Sequence, residues 1–255
     1  MIDPLSAIVI VAAGVVAGIM NTIVGAGSLI TFPTLLLLGY PPLVANVSNT
    51  IGLVPGAMSG SIGYRRELTG QRARARPLLV AGALGGATGA GLLLVLPASA
   101  FARIVPVLIL VACALVAVQP RLSAWVVARR ARSGVPHAGG GLPLIIGVYL
   151  TGIYGGYFGA AQGVILIALL AILVDDELQR LNGLKNVLAS VINAVAALIF
   201  IALAPVAWVP AILLAIGSTI GGQLGAVVGR RLSPFALRVA IVTIGLIVAI
   251  RLLLA

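Results

Sequence analysis

Apolar residues run through this chain in long blocks interrupted by glycine, proline and arginine. The blocks cover residues 5–24, 27–38, 43–64, 77–96 and 101–118, then 142–158, 160–174, 184–204, 208–229 and 234–254. A membrane-crossing helix needs about 20 apolar residues, and the blocks that follow Gly25 and Gly159 fall short of it. Those two are expected to be half-helices, or the returning arms of re-entrant hairpins.

The two sets of blocks are copies of one another. Gly18 and Gly25 return as Gly152 and Gly159, 134 positions on, whereas Asn46, Thr50, Gly85, Gly86 and Gly89 return as Asn182, Asn186, Gly221, Gly222 and Gly225, 136 positions on. A two-residue shift at the hairpin tip reconciles the offsets, and Pro97, Phe101 and Arg103 are echoed by Pro234, Phe235 and Arg238. Ordered matches of this kind mark an internal repeat. The chain divides into repeat 1 (residues 1–118), a basic cytoplasmic linker (119–140, with Arg121, Arg129, Arg130, Arg132, Pro136 and a Gly-Gly-Gly run) and repeat 2 (141–255), which together form one transport domain.

Composition settles the solvent. Hydrophobic residues make up 61% and charged residues 8% of 255, and the mean hydropathy is +1.23. A soluble domain carries about 25% charged residues, so the bilayer is the medium this chain is built for. The expected fold is an all-α polytopic membrane protein of about eight to ten membrane segments. The first block follows Met1-Ile2-Asp3-Pro4 with no basic region, so the N-terminus reads as a mature membrane segment and not a cleaved signal.

The net charge of +11 sits in loops, which makes it a marker of orientation and excludes nucleic acid as its partner. Four clusters form: Arg65 to Arg76, Arg121 to Arg132, Arg180 with Lys185, and Arg230 with Arg231. If all four are cytoplasmic, residues 142–174 must enter and return as a hairpin, and residues 5–38 by analogy. Each repeat is then a Gly-broken hairpin plus three transmembrane helices. An odd number of net crossings inverts one copy relative to the other and leaves the N-terminus outside, with Arg103 as an exception on the outer side. If each hairpin instead counts as one broken crossing, the chain has eight spans, the copies are parallel, and Arg230 and Arg231 lie outside.

Candidate chemistry is limited by what is missing. Asp3, Glu67, Asp175, Asp176 and Glu177 all lie at or beyond the ends of apolar blocks, and His137 is in the linker. A carboxylate proton relay, a carboxylate cation site and a metal cluster therefore have no support; no cofactor is expected, nor a nucleophile–base pair for catalysis. The lone Cys113 reads as a small core residue.

What lies at membrane depth is neutral donors beside glycine breaks: Asn21, Thr22, Gly25, Gly27, Ser28, Asn46, Asn49 and Thr50 in the first copy, and Tyr154, Tyr157, Gly159, Gln162, Lys185 and Asn186 in the second. Asn182, Asn186, Ser190 and Asn193 share one helix face. Hairpins broken at glycine would aim helix N-termini, with free N–H groups and partial positive charge, at the midplane, which outlines an anion site. Such residues also serve as bridges between helices, and Gly52, Gly56 and Gly60, like Gly221, Gly225 and Gly229, read as packing seams. The only lysine, Lys185, fits two roles: a direct anion ligand, or a charge snorkelling to the cytoplasmic surface.

The pattern Gly18-(x)6-Gly25-Ala-Gly-Ser, Pro33, Leu35 to Gly39 and Ala45-Asn46-(x)3-Thr50 resembles the TauE/SafE sulfite exporter family, also called probable membrane transporter proteins. Gly152-(x)2-Gly155-(x)3-Gly159-Ala-Ala-Gln resembles that family's second repeat. This chain departs in Ala26, Ala160 and Ala161, where glycines are frequent, and in Asn186, where a threonine is. The resemblance implies export, or sometimes uptake, of sulfite, sulfonates or related organosulfur anions across the bacterial inner membrane. An inside-negative potential drives a monoanion outward by about 2.3 kcal/mol per 100 mV, which suits a uniporter working by alternating access. A channel, a carrier of another small anion and a membrane scaffold are the other readings. The partners expected are a small anion and the lipid bilayer, and the glycine seams allow a homodimer.

Overall fold

The structure, a computed structural model, describes residues 2–133, 140–228 and 234–254. Ten helices follow one another: α1 (Pro4–Ile23), α2 (Ser28–Leu37), α3 (Pro42–Gly63), α4 (Arg72–Val95), α5 (Ala98–Ser133), α6 (Gly141–Tyr157), α7 (Gln162–Leu173), α8 (Leu178–Leu203), α9 (Trp208–Val228) and α10 (Pro234–Leu254). No strand occurs among the described residues. Among the described residues, five helices are long and apolar enough to cross a membrane: Pro4–Ile23, Arg72–Val95, Ala98–Arg121, Leu178–Leu203 and Trp208–Val227. The chain is a multi-pass helical membrane protein. The short helices α2 and α7, of 10 and 12 residues, reach about 15 and 18 Å, well under the roughly 30 Å of a hydrocarbon core.

Both breaks are built the same way. Gly25 takes φ +85° and Gly159 φ +75°, a left-handed conformation that glycine adopts without a Cβ clash. Gly25 N donates to Met20 O at 2.9 Å, and Gly159 N to Tyr154 O at 3.1 Å, the same six-to-one closure of the last helical turn. The chain then folds back. A Cβ at Gly27 would meet Ala17 O and Asn21 Cβ, and one at Gly147 would meet the Leu169 side chain, so α7 returns alongside α6.

The long helices pair across the halves through glycine. Gly14 packs on Leu214, Gly217 and Ser218, Gly18 on Ser218 and Gly222, and Gly225 on Ile19 and Thr22, so α1 and α9 run parallel. Gly85 against Tyr149 and Gly152, then Gly89 against Ile153 and Tyr157, make α4 and α6 parallel in the same manner. Gly52, Gly56 and Gly60 seat α3 against α9 and Thr22. By contrast, Ser61 bonds Ser190 at 2.9 Å while Tyr64 and Glu67 pack on Gly183, so α3 and α8 run in opposite directions. The seam glycines thus pack as expected; Gly229 lies outside the described residues.

Edge-to-face rings lock the tip of α6 to its neighbours: Phe158 with Phe32 at 5.3 Å and with Phe101 at 6.2 Å, and Tyr157 with Phe101 at 5.7 Å. A second core gathers Leu144, Val148, Leu166, Leu170, Leu184, Leu188 and Ile192 beside Leu78. Leu5, Ile8, Val80, Leu84, Ile201 and Ile212 point outward, as suits a lipid-facing surface.

The linker expected at residues 119–140 is corrected over its first part. Helix α5 continues through Pro120 to Ser133, 36 residues in all. A run rich in arginine and alanine is as good a helix outside a membrane as a loop, and charge alone does not tell the two apart. Pro136 and His137 lie outside the described residues, as do Arg230 and Arg231.

One polar clamp joins the halves at the loops. Arg74 and Arg180 both donate to Asp176 at 2.8 Å, Arg180 also reaches Thr69 O at 3.1 Å, and Gln71 Nε2 donates to Glu67 O and Arg180 O at 2.8 and 3.1 Å. Burial pushes the Asp176 carboxyl up, but hydrogen bonds from Arg74, the Glu177 N–H and Arg180 outweigh it and hold it below the usual carboxylate value.

Two predictions follow from packing and from charge. Gly221→Ala would drive a methyl into Val15 O of α1, so it is expected to cost at least 1–3 kcal/mol, roughly the scale of overpacking, read as a lowered Tm in detergent. A carboxyl held below its ordinary pKa stabilises at higher pH and loses that contribution as pH falls through its folded value. Asp176→Asn is therefore expected to cost about 1–2 kcal/mol at pH 7, with the gap between wild type and variant closing as pH is lowered below about 4.

Candidate functional site

The two hairpin tips meet in the interior. Gly163 N, in the first turn of α7, donates to Gly25 O at 3.1 Å, and each of these glycines lies where a Cβ on the other would collide with backbone. The polar residues singled out from the sequence collect around this contact in four groups.

The first group ends α1. Lys185 is 1% exposed, and its Nζ donates to Asn21 O at 3.3 Å and Thr22 O at 3.1 Å. Asn186 Nδ2 donates to Thr22 O at 3.3 Å. The last carbonyls of a helix have no partner within it and carry the negative end of its dipole, so a buried cation and an amide are well matched to them. This corrects the snorkelling reading: Lys185 points across the interior to the opposite half. The Thr22 hydroxyl donates to Gly18 O at 2.9 Å and lies 3.5 Å from Gly222 O.

The second group is local to the first hairpin: Asn49 Nδ2 donates to Ser28 Oγ at 3.2 Å, and the Thr31 hydroxyl bonds Asn49 Oδ1. The third ends α6, where Asn46 Nδ2 donates to Tyr157 O at 3.0 Å. The fourth joins α7 to α8, with Gln162 Nε2 donating to Asn193 Oδ1 at 2.9 Å. Buried polar atoms in a native structure nearly always have partners. Asn46 Oδ1, Tyr157 Oη and Gln162 Oε1 are buried without one, and all three belong to residues at or beside the tips.

Other expected residues make local contacts. Tyr154 Oη is spent on Ala160 O at 2.6 Å, bracing the second tip, and Thr50 bonds Asn46 O of its own helix at 2.9 Å. Gly27 packs on α1, while Gly25 and Gly159 turn the chain. The expectation of free N–H groups at the α7 N-terminus is corrected: the N–H groups of Gln162, Gly163 and Val164 are taken by Gly159 O, Gly25 O and Ala161 O. Sequence reasoning missed Thr31 and Gly163.

Buried donors and unpartnered acceptors thus gather where the two broken helices meet. The family model described as "Sulfite exporter TauE/SafE" matches residues 10–252. This chain belongs to the TauE/SafE family. It is a family of membrane transporters, and its members with similar sequences include a "Probable membrane transporter protein" of Haemophilus influenzae, 28% identical over 84% of this chain and 81% of that one. The Escherichia coli K12 "Probable membrane transporter protein YfcA" is 25% identical over 88% of this chain and 81% of its own. The "Probable membrane transporter protein ORF9" of Sinorhizobium sp is 25% identical over 94% and 90%. No solved structure matches this chain.

In this TauE/SafE chain, replacing the buried Lys185 amine by an apolar side chain of similar volume removes its desolvation cost but leaves a carbonyl at the end of α1 without its donor, and a buried acceptor left unsatisfied costs about 1–3 kcal/mol. Lys185→Met is therefore expected to lower the Tm of the purified protein by the equivalent of about 1–3 kcal/mol; an unchanged or raised Tm would show that the α1 carbonyls do not need this donor.

Proposed function

We propose that this chain is a secondary transporter that exports small sulfur-containing anions, sulfite or sulfonates, across the bacterial inner membrane by alternating access. The observation that carries this reading is Lys185, whose amine is buried against the end of α1 with carbonyl oxygens in place of a carboxylate. A site holding an unneutralised positive charge in low dielectric favours an anion as its ligand. Tyr157 Oη, buried without a partner, is read as a donor to that anion, and Asn46 Oδ1 and Gln162 Oε1 as acceptors of a hydrogen bond from any O–H or N–H the ligand carries. The words "Sulfite exporter" in the family description support the substrate class.

The mechanism draws on the repeat. Its copies are read as inverted, so that α1–α5 and α6–α10 are related by a twofold axis in the membrane plane. The parallel pair of α1 with α9 has its counterpart in α6 with α4, and the equivalent helices α3 and α8 run in opposite directions, which supports that symmetry. The arginine-bearing loops, including the Arg74–Asp176–Arg180 clamp, would then be cytoplasmic. Rocking of one half against the other exchanges which side reaches the tips. A homodimer is compatible with the mechanism and not required by it.

Proteoliposomes loaded with sulfite or isethionate test this. Efflux is expected to saturate, and 100 mV negative on the loaded side shifts the driving force on a monoanion by about 2.3 kcal/mol, so the accumulation ratio at steady state should change by roughly fiftyfold. Lys185→Met and Asn186→Leu should each lower efflux at least tenfold. Non-saturating flux near diffusion rates would point to a channel, and full efflux in both variants would remove the site from the mechanism.

A further inference from the structure

Outside the interior cluster, an open groove of about 510 Å³ lies beneath the loop between α3 and α4, lined by Arg65, Thr69, Gln71, Arg72, Leu184 and Val187 among others. Three features of it bear on what it can bind. Arg65 and Arg72 are both exposed and make no ion pair with any described residue, because Asp176 is taken up by Arg74 and Arg180. The loop's own acid, Glu67, has its stem against Gly183 of α8 and does not line the groove. Arg72 also opens α4, whose N-terminus has no side-chain cap, so the positive end of that helix adds to the two guanidinium groups.

Gln71 is the second, independent observation. It is 3% exposed, and its amide Nε2 is committed to Glu67 O and Arg180 O. That leaves Oε1 buried and unpartnered in the groove lining. A carbonyl in that position is satisfied only by a donor brought from outside. The far wall is Leu184 and Val187, which flank Lys185 and Asn186 on α8, so the groove stands one helix face away from the interior site.

We propose that this groove is a second anion-binding subsite, an antechamber that collects a small oxyanion carrying its own O–H or N–H group. The oxyanion end faces Arg65, Arg72 and the start of α4, and the hydrogen-bearing group donates to Gln71 Oε1. Its purpose rests on the transport reading above, but binding there does not require transport.

The test uses the full chain in detergent with Cys113→Ala to remove the native thiol and Thr69→Cys to place one in the groove. The rate of thiol modification is compared for an anionic reagent, sulfonatoethyl methanethiosulfonate, and a cationic one of similar size, trimethylammonioethyl methanethiosulfonate. The anionic reagent is expected to react about tenfold faster, the scale of local electrostatic concentration. Arg65→Gln with Arg72→Gln should abolish that preference, and Arg65→Lys with Arg72→Lys should keep it. Isethionate, which has a sulfonate and a hydroxyl, should protect the thiol at lower concentration than propane-1-sulfonate, its isostere without the hydroxyl.

Equal rates for the two reagents, or a preference indifferent to both arginines, would overturn the subsite. Equal protection by the two sulfonates would overturn the role of Gln71. A protein that fails to transport but shows these effects refutes the transport reading alone; one that transports without them refutes the groove alone.

Discussion

Hydrocarbon offers no hydrogen bonds, so a helix may stop inside a membrane only where protein supplies the missing partners. Both breaks in this chain meet that demand with groups from the opposite half. The carbonyls that end α1 receive Lys185 and Asn186 from α8, the Tyr157 carbonyl that ends α6 receives Asn46 from α3, and the tips close directly through Gly163 N and Gly25 O. Neither hairpin is complete on its own. The polar cluster is therefore, before anything else, the condition under which two interrupted helices can exist at that depth.

Close approach of backbones is the second half of the same solution. Lipid tails are as apolar as leucine, so helices in a bilayer associate through packing and hydrogen bonds and gain little from the hydrophobic effect. Gly18 against Ser218 and Gly222, and Gly85 against Gly152, bring helices from different halves into contact at backbone distance. At the α6 tip the contact is made instead by rings, Phe158 against Phe32 and Phe101 and Tyr157 against Phe101.

Much of this was legible in the residues. Block lengths told the short α2 and α7 from the long helices, the duplicated Gly25 and Gly159 marked the breaks, and the fourfold glycine spacing marked the seams. These features are local or periodic, and physics at that range is visible in a linear string. Asn46, Asn186, Gln162 and Lys185 were legible as polar residues at depth. Their partners were not, because Lys185 meets Asn21 and Thr22 more than 160 positions away in sequence and a chain read from end to end does not say which carbonyl a side chain will face. The helical continuation of α5 past Pro120 was hidden for a different reason: leaving the membrane changes composition without changing conformation.

The departures from symmetry then carry the functional argument. Lys185 occupies the position that Asn49 holds in the first copy, and the two do opposite things: Asn49 ties its own hairpin through Ser28 and Thr31, whereas Lys185 crosses to the other half. Likewise Ala161 stands where the first copy has Gly27, and it is the one non-glycine among the described residues with positive φ, at 59°, a conformation that costs an alanine roughly 1–2 kcal/mol. A scaffold in two matching copies would treat its two faces alike if its tips matched as well. Here the single charge and the backbone strain are both placed on the second copy, Lys185 on α8 and Ala161 at the second tip, so the two faces of the site differ in electrostatics and in stored strain. Such strain persists where the surroundings over-determine it and marks elements that change conformation. In the proposed cycle, an anion drawing the Lys185 side chain from the α1 carbonyls would loosen the contact between halves next to the tip that carries the strained Ala161.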